Sequence, residues 1–196
     1  MAEGIKAPIS IDTFKAEIAQ KAIQAGTSII NDVTGLQREP EIANVAAQYK
    51  TPLVAMHWDK NRDQNKDILS EMQRFFAASL TIASNAKVDK DCLILDPGFG
   101  FAKSLRENYL LLNRLEELNQ LNLPLLIGTS RKSMLGNILG IPPKDRATAT
   151  AATSVIAYQK GAHIFRVHDV APNLQALQIA QTTCYGAPNR RTANEL

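Results

Sequence analysis

The chain has 196 residues, 45% apolar and 21% charged, enough to bury a core without a disulfide or metal staple. Its net charge of +3, from 22 Lys+Arg against 19 Asp+Glu, is too mild and too interspersed to argue for a nucleic-acid partner. No apolar run approaches the roughly 18 residues of a membrane span, residues 1–6 lack a signal peptide's regions, and Cys92 and Cys184 have no disulfide or metal spacing; a reduced cytoplasmic protein is expected.

In chain order, short runs rich in Ile, Leu and Val predict strands at 8–12, 28–33, 52–57, 92–96, 124–129 and 162–167. Amphipathic helices are expected between them. Ile42, Val45, Ala46 and Tyr49 share one helical stripe, and Met72, Phe75, Phe76 and Ser79 share another, continued by Leu80 and Ala83. Leu105, Leu112 and Leu115 mark a further helix; Leu174, Leu177, Ile179 and Ala180 mark the last. The stretch 147–158, rich in Ala and Thr, predicts a helix packed close to the sheet. A polar segment at 186–196, with Pro188 and no apolar period, predicts a disordered tail after a domain covering 1–185.

Strand followed by helix, repeated, predicts a parallel α/β sheet. A doubly wound dinucleotide binder carries GxGxxG after its first strand. None follows Asp12, and Gly98-Phe99-Gly100 lacks the third glycine, which argues against a nicotinamide enzyme. Nearly every predicted strand instead ends on polar residues: Asp12, Asn31-Asp32, His57, Asp96, Ser130-Arg131-Lys132, and Arg166 with His168. In an open sheet these ends would spread along a line at about 4.8 Å per strand. In a closed barrel they face one mouth, where barrel active sites are built. The predicted fold is an incomplete (β/α)8 TIM barrel with about six βα units, because a full barrel takes about 250 residues.

The chemistry is expected at that mouth. Asp12 suits a ligand or a cap for a helix starting near Phe14, and Asn31-Asp32 suits a ligand or a turn. In Leu95-Asp96-Pro97-Gly98-Phe99-Gly100-Phe101-Ala102-Lys103, a strand delivers a carboxylate into a rigid turn beside two aromatics that read as exposed. That combination suits a flat heterocycle with an amidine-like N–H edge, through paired hydrogen bonds and stacking. Gly128-Thr129-Ser130-Arg131-Lys132-Ser133 places two hydroxyls and two cations at a helix start, where an anion or polar ligand is expected. Arg166 and His168 share a strand face and suit diphosphate. Met56-His57 fits a pocket wall or core packing equally well.

Ser10-Ile11-Asp12-Thr13, Ile29-Ile30-Asn31-Asp32-Val33, Leu95-Asp96-Pro97-Gly98-Phe99-Gly100-Phe101, Ser130-Arg131-Lys132-Ser133 and Arg166-Val167-His168-Asp169-Val170 resemble the successive motifs of the dihydropteroate synthase family. They match in order and spacing over residues 8 to 183. The wider pterin-binding family, including methyltetrahydrofolate methyltransferases, resembles the Asp and Asn motifs but not the last two.

The resemblance implies a transferase of folate biosynthesis, in which 4-aminobenzoate displaces diphosphate from 6-hydroxymethyl-7,8-dihydropterin diphosphate. It implies that Asp12, Asn31, Met56, Asp96, Phe101, Lys132 and Arg166 bind the pterin. Ser130 and Phe101 would meet the aminobenzoate, Arg166 and His168 the diphosphate, and Lys132, Arg166 and His168 would be catalytic. The family's first two strands have no counterpart here. With them go an Asn that binds magnesium and a Ser-Thr-Arg-Pro segment that closes over the aminobenzoate. Mg2+ is thus implied as a cofactor with no ligand in this chain. A homodimer through the C-terminal helices, or an association that completes the barrel, is the implied partnership, with neither nucleic acid nor membrane. The rival expectations are a non-catalytic pterin-binding pseudoenzyme and a fragment needing a partner chain.

Overall fold

The computed structural model describes residues 6–186, so the tail expected at 186–196 lies almost wholly outside the described residues. Six parallel strands alternate with seven α-helices among those residues. Strands β1 (Ser10–Asp12), β2 (Ile29–Asp32), β3 (Leu53–Met56) and β4 (Leu93–Asp96) form one sheet in that order. Strands β5 (Leu126–Ile127) and β6 (Ile164–Phe165) pair beside it, and a parallel bridge from Leu95 to Leu125 joins the two sheets. The result is a partial (β/α)8 barrel. Among the described residues β1 pairs only with β2 and β6 only with β5, which leaves a seam between the first and last strands.

Helices α1 (Ala16–Gln24), α2 (Glu41–Tyr49), α3 (Ile68–Asn85) and α4 (Leu105–Asn113) follow the first four strands. The expected stripes are the buried ones: Ile42, Val45 and Ala46 on α2, and Met72, Phe75, Phe76 and Ser79 on α3. Local chemistry starts two of these helices cleanly. Asp67 accepts from the Ser70 N–H at the head of α3, and Ser104 and Glu107 form a reciprocal capping box on α4. The helix expected through Leu115 breaks at Arg114 into a 3-10 segment, Leu115–Leu121. Cys92, expected to open a strand, sits in a 3-10 turn ahead of β4.

The second side differs. Strands expected over six residues at 124–129 and 162–167 pair over only two each. Helix α5 (Ser133–Leu139) follows β5, then α6 (Ala147–Gln159), while α7 (Val170–Tyr185) follows β6. Helix α6 lies close to the sheet as its small residues predict, with the Thr153 hydroxyl 2.8 Å from that of Thr129. It is tied to α7 by Ser154 donating to Asn173 Oδ1 at 2.8 Å. The stripe expected on α7 is buried only in part: Ala180 is buried and Leu177 half-buried, whereas Leu174 and Ile179 are exposed, as are Val170 and Tyr185. No helix among the described residues is long and apolar enough to cross a membrane.

Candidate active site

Strand register alone gathers most of the site. Asp12 pairs with Asn31, Asn31 with Val54, and Met56 with Asp96. Paired residues of parallel strands face the same way, and a step of two returns to that face. Asp12, Asn31, Met56 and Asp96 therefore share the barrel's inner face, at the carboxyl ends of their strands. The bridge at Leu95 carries the same phase across, through Leu126 and Ile164, to Gly128 beside Arg166 and Ser130 beside His168. Asp32 falls on the outer face. It accepts from the Thr34 N–H and hydroxyl at 2.7 Å and from the Leu36 N–H at 2.8 Å, so of the Asn31-Asp32 pair it is Asp32 that builds the turn.

Asp96 is buried beneath that turn-rich mouth. Its Oδ1 accepts from the Gly98 N–H at 2.7 Å, and no described group donates to Oδ2. Burial pushes its pKa up, against the Gly98 hydrogen bond and the charges of Lys132, Arg166 and Lys103. The turn requires glycine at 98: its φ is +67°, and a Cβ there would land on the His57 carbonyl oxygen. Asn31 donates to Asp12 Oδ1 at 2.6 Å, while its own Oδ1 is buried and unpartnered among the described residues. Asp12 does not cap α1, whose N-cap is Lys15. It stands at the mouth, with Oδ2 3.4 Å from the Arg166 guanidinium across the seam.

The aromatics divide. Phe99, expected at the surface, is fully buried in the core, whereas Phe101 stays at the mouth with Lys132 Nζ 4.6 Å from its ring centre and Trp58 5.3 Å away. Met56 is fully buried against Gly98, as floor beneath the turn. His57 belongs to the packing: it meets the Phe75 ring at 4.8 Å, and burial, with Lys103 and Arg62 nearby, holds its pKa down at about 2.

Beyond β5 the cations take separate jobs. Lys132 reaches the Phe99 carbonyl, and burial lowers its pKa to about 8, with Asp96 opposing and Arg166 adding to the fall. Arg131, expected among the anion-facing groups, borders the cavity there but holds its guanidinium in a two-pronged pair with Asp169 at 2.6 and 3.0 Å. Arg146 braces the same loop by donating to the Arg131 and Lys132 carbonyls at 2.8 and 3.1 Å. Ser130 and His168 meet at 2.9 Å. A cavity of about 520 Å³ opens here, lined by Phe101, Gly128, Ser130, Lys132, Arg166 and His168 among others. Asp12, Asn31, Met56 and Asp96 form the inner wall beside it rather than its lining.

Sequence reasoning passed over Arg146, Asn108 and Lys103 as site builders. Asn108 accepts from the Gly100 N–H at 2.6 Å, and Lys103 lies under the 98–101 turn. The signal available was local: a lysine and an asparagine flanking a capped helix start, next to a turn whose carbonyls need donors.

A partial barrel with carboxylate, amide and cations converging on one mouth defines a small-molecule enzyme scaffold, and comparison with known proteins supplies the class. The chain belongs to the pterin binding enzyme family, whose pattern matches residues 1–168. Within it, the chain is 46% identical over 163 residues to the dihydropteroate synthase of Bacillus subtilis, covering 83% of this chain and 57% of that protein. It is 47% identical over 180 residues to that of Synechocystis, covering 88% and 62%. The crystal structure of a dihydropteroate synthase from Clostridium difficile in the presence of pteroic acid superposes with a TM-score of 0.89 at 40% identity, covering 93% of this chain and 69% of that one. The chain thus spans about three fifths of the length of the first two relatives.

Proposed function

We propose that these residues form the pterin- and diphosphate-binding side of a dihydropteroate synthase, acting in the cytoplasm in folate biosynthesis. One observation carries the reading. Asn31 Oδ1 is buried without a partner, and Oδ2 of the buried residue Asp96 accepts from no described group, at a mouth flanked by Phe101; a flat heterocycle with an N–H edge answers both. Asp12 extends that edge, Met56 floors it, and Phe101 and the Lys132 and Arg166 side chains cover it.

In the proposed reaction the aminobenzoate nitrogen bonds to the pterin's methylene carbon, the carbon–oxygen bond to diphosphate breaks, and the amine loses a proton. Positive charge develops on the pterin as it builds up negative on the leaving group. Asp96 faces the first, and Arg166 and His168 face the second. Ser130 holds His168 by its ring nitrogen and, with Phe101, borders the space left for aminobenzoate. Lys132 lies between the two charges.

Magnesium is a poor fit to the described residues. The leaving-group end carries Arg166, His168 and Lys132, the Asp12 carboxylate beside Arg166 is already shared with Asn31, Asp169 is engaged by Arg131, and a hard cation needs several free oxygens. No step here runs through the ion. Exposed Val170, Leu174, Ile179 and Tyr185 on α7 support a homodimer or an association that completes the barrel.

The seam between β1 and β6 favours a second reading, a pterin binder without turnover by residues 1–196 alone. The mouth is open on that side, and among the described residues no group there positions the nucleophile. Poor positioning can lower rates by several powers of ten. Calorimetric titration with 6-hydroxymethylpterin, beside incorporation of labelled 4-aminobenzoate, separates the two. Binding with turnover supports the synthase, binding without turnover the second reading, and no binding overturns both.

A further inference from the structure

The carbonyls of the turn after β4 are held almost entirely by cations. Gly98 and Phe101 carbonyls bind Lys103, the Phe99 carbonyl binds Lys132, and the Ala102 carbonyl accepts from Arg62. Lys132 and Arg62 have other claims on them: Lys132 lines the cavity and Arg62 pairs with Glu107. Lys103 has none. Its Nζ has three near acceptors, the Gly98 carbonyl at 2.9 Å, the His57 Nδ1 at 2.9 Å and the Phe101 carbonyl at 3.1 Å, with the His57 carbonyl farther off at 3.5 Å. An ammonium has three N–H groups to give. We propose that Lys103 is a positioning residue for pterin recognition, its ammonium locking the 98–101 turn so that Asp96 and Phe101 are presented to the ligand. This rests on the pterin-binding reading of the site.

The charge strengthens the fit. A neutral amine has two N–H groups and a lone pair, and meeting that lone pair would require His57 to carry its ring proton on Nδ1. Even then the hydrogen bonds to the Gly98 and Phe101 carbonyls would lose their charge assistance, and burial keeps His57 from supplying a cation instead. Burial also lowers the Lys103 pKa to about 7. Asp96 and Glu107 oppose that fall, and Lys132 and Arg62 add to it. The lock is therefore closed below pH about 7 and loosens above it. The ammonium is also one of three cations favouring the ionised form of Asp96, so its loss weakens the recognition carboxylate as well as the turn.

A built-in reporter is available. Trp58, the only tryptophan, contacts Phe101 at the end of the turn. In the ligand-free chain, Trp58 fluorescence should titrate with a midpoint near pH 7. Lys103→Met should abolish that transition and weaken 6-hydroxymethylpterin binding at pH 6 by on the order of 10-fold or more, the loss of charge-assisted hydrogen bonds. Lys103→Arg keeps a permanent cation, so it should lose the transition yet retain most of the affinity. Circular dichroism on each variant reports folding, and the wild-type titration needs no variant at all. A flat wild-type profile from pH 5.5 to 9, or a transition unchanged in Lys103→Met, overturns the proposal. Absence of pterin binding by the wild type overturns the functional reading instead, whatever Trp58 does.

Discussion

Along β1 to β4 the ladder runs three or four residues per strand, and Asn31, Met56 and Asp96 at its mouth are all buried. Along β5 and β6 it runs only two, and Ile164, on the inner face, is 37% exposed. The first side holds its recognition groups by backbone register, so their relative heights follow from strand pairing. The second side delivers Ser130, Lys132, Arg166 and His168 from loops, so side-chain braces must hold them: Arg146 on two carbonyls, Arg131 on Asp169, Ser130 on His168. A fixed wall suits a rigid heterocycle. A cationic wall braced by side chains suits the departing diphosphate of the proposed reaction, whose negative charge grows as it leaves.

The hardest test of that contrast removes the buried carboxylate. Asp96→Ala should weaken pterin binding by on the order of 100-fold, the loss of charge-assisted hydrogen bonds in a buried setting. Asp12→Ala should weaken it about 10-fold or less, because Asp12 is half exposed and screened by water. Calorimetry on both variants measures the ratio. Equal losses would mean that the two walls do not differ as their burial implies.

A smaller effect tests whether the rigid wall depends on its turn. In Gly98→Ala the new methyl meets the His57 carbonyl oxygen at a positive φ, and neither can rotate away. Left-handed strain plus overpacking predicts about 2 kcal/mol or more of lost stability, a melting temperature roughly 4–8 °C lower. Gly140→Ala, at φ +66° with open space around it, carries the strain alone and should lose about 1 kcal/mol. If the two variants melt together, the close approach of the turn to His57 has no energetic weight.

Much of the first wall was legible in the sequence because it follows from alternation. Once the strands are placed, Asp12, Asn31 and Asp96 must share the inner face, and the buried stripes of α2 and α3 follow the same kind of rule. The second wall was less legible. Residues 124–129 and 162–167 read as strands of equal length, yet only two residues of each pair, and β6 has no described partner on its other side. The stripe on α7 reads as core for a similar reason: periodicity reports which residues share a face, and only tertiary contacts decide whether that face is covered. Phe99 was misread, and the Asp169 pairing of Arg131 went unseen, because sequence marks a turn without fixing which way each side chain leaves it. Arg131, at φ +58°, departs toward Asp169, and Phe99 turns into the core.

The smallest effect concerns the one described ion pair that joins the walls across the seam, Arg166 to Asp12 at 3.4 Å with both side chains about half exposed. An ion pair so placed gains little over water and is screened by salt, so its coupling in the ligand-free chain should be about 0.5 kcal/mol and fall further at high ionic strength. A double-mutant cycle of Asp12→Asn and Arg166→Gln, read by chemical denaturation, measures it directly. A pterin seated between the walls would exclude water from the pair and touch both partners, and the same cycle read by pterin affinity should then give a larger coupling. Coupling above about 1 kcal/mol without ligand would show that the seam is closed by the protein itself. Equal values with and without ligand would separate the pair from the pterin site and break the link between the two walls.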